Sequence, residues 1–209
     1  RQQVHENEEL LLNILPAPVA ASLRDGNGQA TQSFADVTVL VAYLLGFEQV
    51  SQAEGPDVSL VLMQDLVITF DEAAEQFGVE KVKTVGASYL AVCGLSVQRP
   101  DHTNRMIEFA RELVRIVQRF NRERGKELVL EIGINCGPVV GGIVGRSKFI
   151  YDLWGDTITI ASGLKSDGVT SIQVTQAVYE RMRDLHSFVV ANEFEIKAKG
   201  SFRAWKLVE

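Results

Sequence analysis

Apolar and polar positions alternate in blocks along this chain. Residues 5–24, "HENEELLLNILPAPVAASLR", predict a short apolar helix, a Pro-Ala-Pro break and a second helical turn or two. Neither proline can donate an amide and each disfavours helix in the residue before it. "DGNGQATQS", residues 25–33, reads as a polar, glycine-containing linker. The chain therefore divides into a helical lead-in over residues 1–29, whose apolar face needs a partner, and a domain over 30–209.

Beyond the linker, strand and helix signals interleave. "VTVLVAYL" is β-branched and apolar, a buried strand, and residues 57–77 carry apolar positions at helical spacing. "VEKVKTVGASYLAVCGL" predicts a hairpin about Gly86. "HTNRMIEFARELVRIVQRFNRERG" is the clearest helix, with Met106, Phe109, Leu113, Ile116, Val117 and Phe120 on one stripe and Gly125 as its stop. "LVLEIGINCGPVVGGIVG" reads as strand, turn, strand. A short helix at 157–165, a strand "SIQVT", a helix N-capped by Thr175 and two closing strands around "KAKG" follow. Strands separated by helices, with hairpins among them, predict an α+β or α/β sheet with helices mainly on one face.

Composition narrows the function classes. The chain has 209 residues, 46% hydrophobic and 23% charged, with a net charge of −6, ordinary for one globular domain with an appendage. A mildly acidic chain lacks the basic footprint that a phosphate backbone requires, so no nucleic-acid partner is expected. The basic run from Arg115 to Arg124 reads as a solvated helix face. Cys93 and Cys136 lie in apolar strand-like runs, which suits buried reduced thiols rather than a disulfide. No apolar run reaches the roughly 18–20 residues of a membrane helix, no signal peptide is evident, and the start at Arg1 suggests a fragment of something larger.

Single motifs are weak. "GPVVGGIVG" (137–145) matches neither dinucleotide nor Walker patterns, and a tight β-hairpin is the better reading. His5, His102 and His186 lie far apart, forming neither a metal set nor a triad, so surface or capping roles are expected. Lys83 alone would be a solvated strand-edge residue, and "KAKG" a charged turn.

The order of the pieces is informative. "FADVTVL" leading to Gly46-Phe47, then "EKVKTVG", "RPDH", "IGINCGPVVGGIVG", "YDLWGDTITIAS" and "KAKG" together resemble the class III adenylyl/guanylyl cyclase homology domain over about residues 34–207. The resemblance implies an α+β fold, a ferredoxin-like βαβ-βαβ core with extra hairpin elements, in head-to-tail dimers with nucleotide sites at the interface. It likens residues 1–29 to a helical transducer downstream of a receptor or membrane module, and places the domain in the cytoplasm, as the cytoplasmic part of a membrane-anchored parent if there is one.

An active member converts a nucleoside triphosphate to a cyclic monophosphate and pyrophosphate, with two metal ions held by carboxylates, the oxygen ligands Mg²⁺ prefers. The positions of those carboxylates are here Tyr43 and Ala87; a neutral phenol is a poor ligand and a methyl group none. The transition-state Asn and Arg are replaced by Thr159 and Gly163, and losing a positioned cation typically costs at least about 10²–10³ in rate. The base-reading Lys and Asp of adenylyl cyclases persist as Lys83 and Asp152. Lys197 or Lys199 matches the triphosphate lysine, and phosphate could approach the backbone of Gly46 and Phe47. No nearby carboxylate rescues the site: Asp36 is about 23 Å from Tyr43 along an extended strand and on the opposite face, Ser88 points the other way from Ala87, and Asp156 lies beside the base-reading half. Neither a homodimer nor a heterodimer with an intact cyclase domain completes a site.

The resemblance thus leads to a catalytically silent domain that dimerises with itself or another cyclase domain and regulates. No cofactor is expected, Mg²⁺ or Mn²⁺ entering only with residual activity. The alternatives are a weak, metal-independent ATP-binding sensor and a low-activity adenylyl cyclase. Lys83 and Asp152 could also persist simply by pairing with each other across a cleft.

Overall fold

The computed structural model describes residues 31–144 and 150–208, together with Glu6, Leu15 and Ala20. The predicted lead-in helices, His5 and most of the 25–33 linker lie outside the described residues, although Leu15 and Ala20 are buried in the same cluster as Val37, Val39 and Leu90. Gln32 and Ser33, predicted as linker, already belong to the first strand.

That strand, β1 (Gln32–Leu45), is central, pairing antiparallel with β3 (Ser88–Cys93) on one side and β4 (Val129–Val144) on the other. Both of its faces are covered, so its sequence is a continuous apolar run rather than an alternation. Val37, Val39 and Val41 face one layer, while Leu40, Ala42 and Leu44 face the other. The main sheet runs β2-β3-β1-β4-β6-β10-β7, with β5 (Ile150–Trp154) paired to the outer half of β4. Here β2 is Glu80–Val85, β6 Ser171–Thr175, β7 Phe188–Val190 and β10 Ala204–Leu207. Among the described residues only the β4–β6 pair is parallel. The fold is the predicted α+β one, and its sheet is mostly antiparallel.

The larger core lies beneath α1 (Phe47–Glu54), α2 (Pro56–Phe77), α3 (His102–Arg124) and α5 (Gln176–Met182). Leu66 and Phe70 of α2 and the predicted stripe of α3 pack there against Leu40, Tyr89 and Ile132. Gly78 and Gly125 close α2 and α3 in left-handed conformation, and Thr175 accepts the Val178 amide as N-cap of α5. The arginines at 115, 119, 122 and 124 are exposed, as expected of a solvated face. Cys93 and Cys136 are free and buried; burial pushes the Cys93 thiol up to about 11 and the Cys136 thiol in the same direction.

On the opposite face lies α4 (Asp156–Ser162). It approaches β4 at Gly133, where a Cβ would stand 2.2 Å from the Ala161 carbonyl oxygen. The missing side chain lets α4 rest on the sheet beside the end of β1.

The "GPVVGGIVG" segment departs from the expected tight hairpin. Through Val144 it is a single strand, β4, and the pairing partner is β5, the connecting residues 145–149 lying outside the described residues. Gly137, at φ 150°, takes up the register shift opposite Phe34 and Val37 rather than turning the chain. Gly141 makes room for Tyr151, whose hydroxyl a Cβ there would meet at 2.0 Å. These glycines serve close approach, which sequence pattern does not separate from turning. β7 and β10 were not predicted, whereas the strands flanking "KAKG", β8 (Phe194–Ile196) and β9 (Gly200–Phe202), form the expected small hairpin.

Candidate functional site

Tyr43 ends the buried part of β1, with Ser88 of β3 and Glu131 of β4 as its register partners. The ring is half-buried and the hydroxyl donates to the Ser162 carbonyl oxygen at 3.2 Å, at the end of α4. Burial raises the phenol above its ordinary pKa, the Ser162 contact lowers it and the Glu131 carboxylate raises it, with a net upward shift. The Lys165 ammonium stands 5.2 Å from the ring centroid.

Ala87, in the turn between β2 and β3, does not face Tyr43 across the hairpin. Its carbonyl accepts the Leu44 amide at 2.8 Å and its methyl packs against the larger core, on the other side of the sheet from Tyr43. A divalent ion does not fit this pair: one hydroxyl already donates to a carbonyl under an ammonium group, and the other position offers only carbon. Among the described residues no cluster of three or more His, Cys, Asp or Glu could hold a metal.

A carboxylate that sequence inspection missed is Glu131. It lies directly opposite Tyr43 across β1–β4 and is buried, and its Oε2 accepts hydrogen bonds from the Ser166 amide and, at 3.1 Å, the Ser166 hydroxyl. It pins the loop after α4 rather than facing an open ligand position. The signal was present only as register, which a search along the chain does not see. Asp36 is bound at the far end of β1, where it accepts two hydrogen bonds from Arg181, each 3.1 Å long.

Thr159 and Gly163, expected at the transition-state positions, are also engaged. Thr159 is exposed, and its hydroxyl donates to the Gly155 carbonyl 3.3 Å away within α4. Gly163 follows α4 beneath β8. A Cβ there would stand 3.2 Å from Ile196 and 3.3 Å from Phe194, so a side chain at this position requires those apolar neighbours to yield by a few tenths of an ångström.

Lys83 and Asp152, expected to read the base, are brought together. Lys83 Nζ donates to Asp152 Oδ2 at 2.7 Å, with the side chains 32% and 16% exposed, while Asp152 Oδ1 accepts the Leu153 amide at 2.8 Å. Self-pairing across the β2–β5 groove is therefore realised. The two "KAKG" lysines separate: Lys199 is ion-paired with Asp156 at the start of α4, and Lys197 is exposed with no ion pair among the described residues. Gly46, at φ 110°, starts α1; Phe47 is buried and its carbonyl accepts the Ser59 hydroxyl at 3.1 Å.

Two histidines depart from expectation. His102 is buried, its Nδ1 2.6 Å from the Thr38 hydroxyl and its Nε2 3.4 Å from Asp36. His186 is 8% exposed at the side chain and shares a hydrogen bond of 2.6 Å with Asn104. Both are tertiary links between the sheet and α3 or along its flank, which isolated histidines in a sequence do not reveal.

Comparison with known proteins bears on this geometry. The family model of the adenylate and guanylate cyclase catalytic domain matches residues 29–209. An adenylate cyclase of Mycobacterium tuberculosis is 35% identical over 204 residues, 97% of this chain and 46% of that protein. The human atrial natriuretic peptide receptor 2 is 32% identical over 99% of this chain and 20% of its own length. This chain thus spans less than half of either relative. Among solved structures, the catalytic core of a rhodopsin-guanylyl cyclase with converted specificity, in complex with ATPalphaS, is 27% identical with a TM-score of 0.78, covering 85% of this chain and 97% of that one. The guanylate cyclase domain of RhGC from Catenaria anguillulae, in complex with GTP, is 26% identical with a TM-score of 0.78, covering 85% and 98%.

Proposed function

This chain belongs to the adenylate and guanylate cyclase catalytic-domain family, and from that premise we propose that it is a catalytically silent member acting as a dimerising, regulatory module. The carrying observation is Tyr43. At the place of the first metal carboxylate stands a phenol hydrogen-bonded to Ser162 with a lysine over its ring. Ala87, Thr159 and Gly163 support the same reading, because Ala87 and Gly163 offer no polar group and Thr159 keeps one hydroxyl, which donates to the Gly155 carbonyl. The reading includes a second copy or another cyclase domain as partner, residues 1–29 as the input segment, and an upstream receptor or membrane module that holds the domain on the cytoplasmic side. Among the described residues no helix is long and apolar enough to cross a membrane.

The test is formation of cyclic AMP and cyclic GMP from ATP and GTP with Mg²⁺ and with Mn²⁺. No turnover above background is expected; turnover near 1 s⁻¹ or faster, roughly the ordinary enzymatic range, would overturn silence and establish an adenylyl or guanylyl cyclase with unfamiliar ligands.

A second reading, retention of adenine-nucleotide binding without turnover, is favoured by the Lys83–Asp152 pair. Its two side chains keep the hydrogen-bonding groups that would read an adenine edge, and both remain partly exposed. Lys197 is the lysine of the "KAKG" turn left available to a triphosphate by the Lys199–Asp156 pair. The amides of Gly46 and Phe47 add neutral donors.

A further inference from the structure

The metal position is not simply emptied; it already carries a charge. Lys165 places its ammonium over the Tyr43 ring at 5.2 Å, within range of a cation–π contact, and forms no ion pair among the described residues. The same lysine lines a cleft of about 630 Å³ that runs from Gly163 to Lys206, a volume within the usual range for small-molecule sites. In the wall of that cleft, Ser171 is 6% exposed and its hydroxyl is buried with no hydrogen-bond partner. A buried polar group without a partner is destabilising, so this wall of the cleft is imperfectly satisfied in the unliganded fold.

We propose that Lys165 does the charge-neutralising work that a divalent ion does elsewhere, so that the domain binds a triphosphate chain in metal-free form. This deepens the nucleotide-binding reading above and rests on it. An ammonium is a compact point charge with three donors. It neutralises phosphate oxygens without requiring ligands of its own, and it repels a divalent cation that approaches Tyr43. Complexation with Mg²⁺ removes two negative charges from ATP and weakens its attraction to a fixed ammonium. The sign of the metal effect is therefore inverted: divalent cation lowers affinity. Lys206, Asp167 and Glu193 line the same cleft, and Lys165 is set apart from them by its place over the Tyr43 ring.

The experiment is calorimetric titration with ATP and with inorganic tripolyphosphate, each in EDTA and in excess Mg²⁺, on the unmodified protein, Lys165→Gln and Lys83→Ala. ATP is expected to bind at least about threefold more tightly in EDTA, and Lys165→Gln to weaken binding about tenfold and remove the difference between the two conditions. Binding that requires Mg²⁺, or that is insensitive to Lys165→Gln yet lost in Lys83→Ala, overturns the proposal and leaves nucleotide binding intact. Tripolyphosphate binding as tightly as ATP with the same Lys165 dependence supports the lysine's role and removes base reading. No heat with either ligand at millimolar concentration overturns both.

Discussion

Lys83 and Asp152 direct their charges at each other across 2.7 Å, whereas Tyr43 and Gly163 are each packed among groups from distant parts of the chain. Around Tyr43 a carbonyl accepts the phenol and an ammonium covers the ring. Around Gly163 the β8–β9 hairpin has settled onto the bare backbone through Ile196 and Phe194. The difference follows from the chemistry of each half. A buried or half-buried ion cannot lose its partner cheaply, so a Lys–Asp pair persists with or without a ligand. A lost carboxylate or arginine leaves only volume, and volume is filled by whatever packs nearby. Persistence of the pair is thus weak evidence for ligand binding by itself.

Restoring the arginine should break this contrast most strongly. Gly163→Arg must displace Ile196 and Phe194, and a loss of about 1–3 kcal/mol of stability is expected, the range typical of overpacking, read by chemical denaturation together with faster hydrogen exchange over residues 194–202. Unchanged stability and exchange would mean that the hairpin leaves room for the side chain. For the same reason the fourfold restoration Tyr43→Asp, Ala87→Asp, Thr159→Asn and Gly163→Arg is expected to recover less activity than the family motif suggests. The Lys165 ammonium would further oppose the returning metal.

A smaller effect is expected in the retained half. A double-mutant cycle of Lys83→Ala and Asp152→Asn should give a coupling of about 1 kcal/mol, above the value of an exposed pair because both groups are partly shielded. A coupling near zero would show that the pair contributes little to folding, and that its persistence calls for another explanation.

The smallest effect belongs to the Tyr43 hydroxyl. Tyr43→Phe removes one hydrogen bond and should cost about 0.5–1 kcal/mol near pH 7 while leaving the lysine over the ring. The folded-state pKa of this phenol lies above its unfolded value near 10. Its contribution is therefore fully present below pH 10 and is lost as the pH rises through the folded value. The difference in melting temperature between the unmodified protein and Tyr43→Phe should accordingly shrink above pH 10. A difference that is flat across that window would show that the phenol titrates as it does in the unfolded chain.

Much of this was legible from local pattern. The apolar run of β1, the stripe on α3 closed by Gly125, the Gly86 hairpin and the Thr175 cap each depend on residues a few positions apart, and each appears as expected. The elements that escaped depend on distant partners. β7 and β10 are short strands made by pairing to each other and to β6, and α1 is a helix of eight residues with only two buried side chains. Gly137 and Gly141 read as turn formers because their spatial neighbours, Thr157 and Tyr151, lie elsewhere in the chain.

The same division runs through the site. Residue identity alone establishes that Tyr43, Ala87, Thr159 and Gly163 carry no carboxylate, amide or guanidinium, since a functional group is a property of the residue itself; that these are the cyclase positions is part of the proposal. Three matters were decided only by the tertiary structure: that Ala87 and Tyr43 pack into different cores, that Glu131 is committed to Ser166, and that the Lys165 ammonium stands over the Tyr43 ring. Each is set by strand register and by the docking of α4 on Gly133. Those in turn arise from the closure of the whole sheet, in which residues far apart in sequence become neighbours because burying both faces of β1 admits one register.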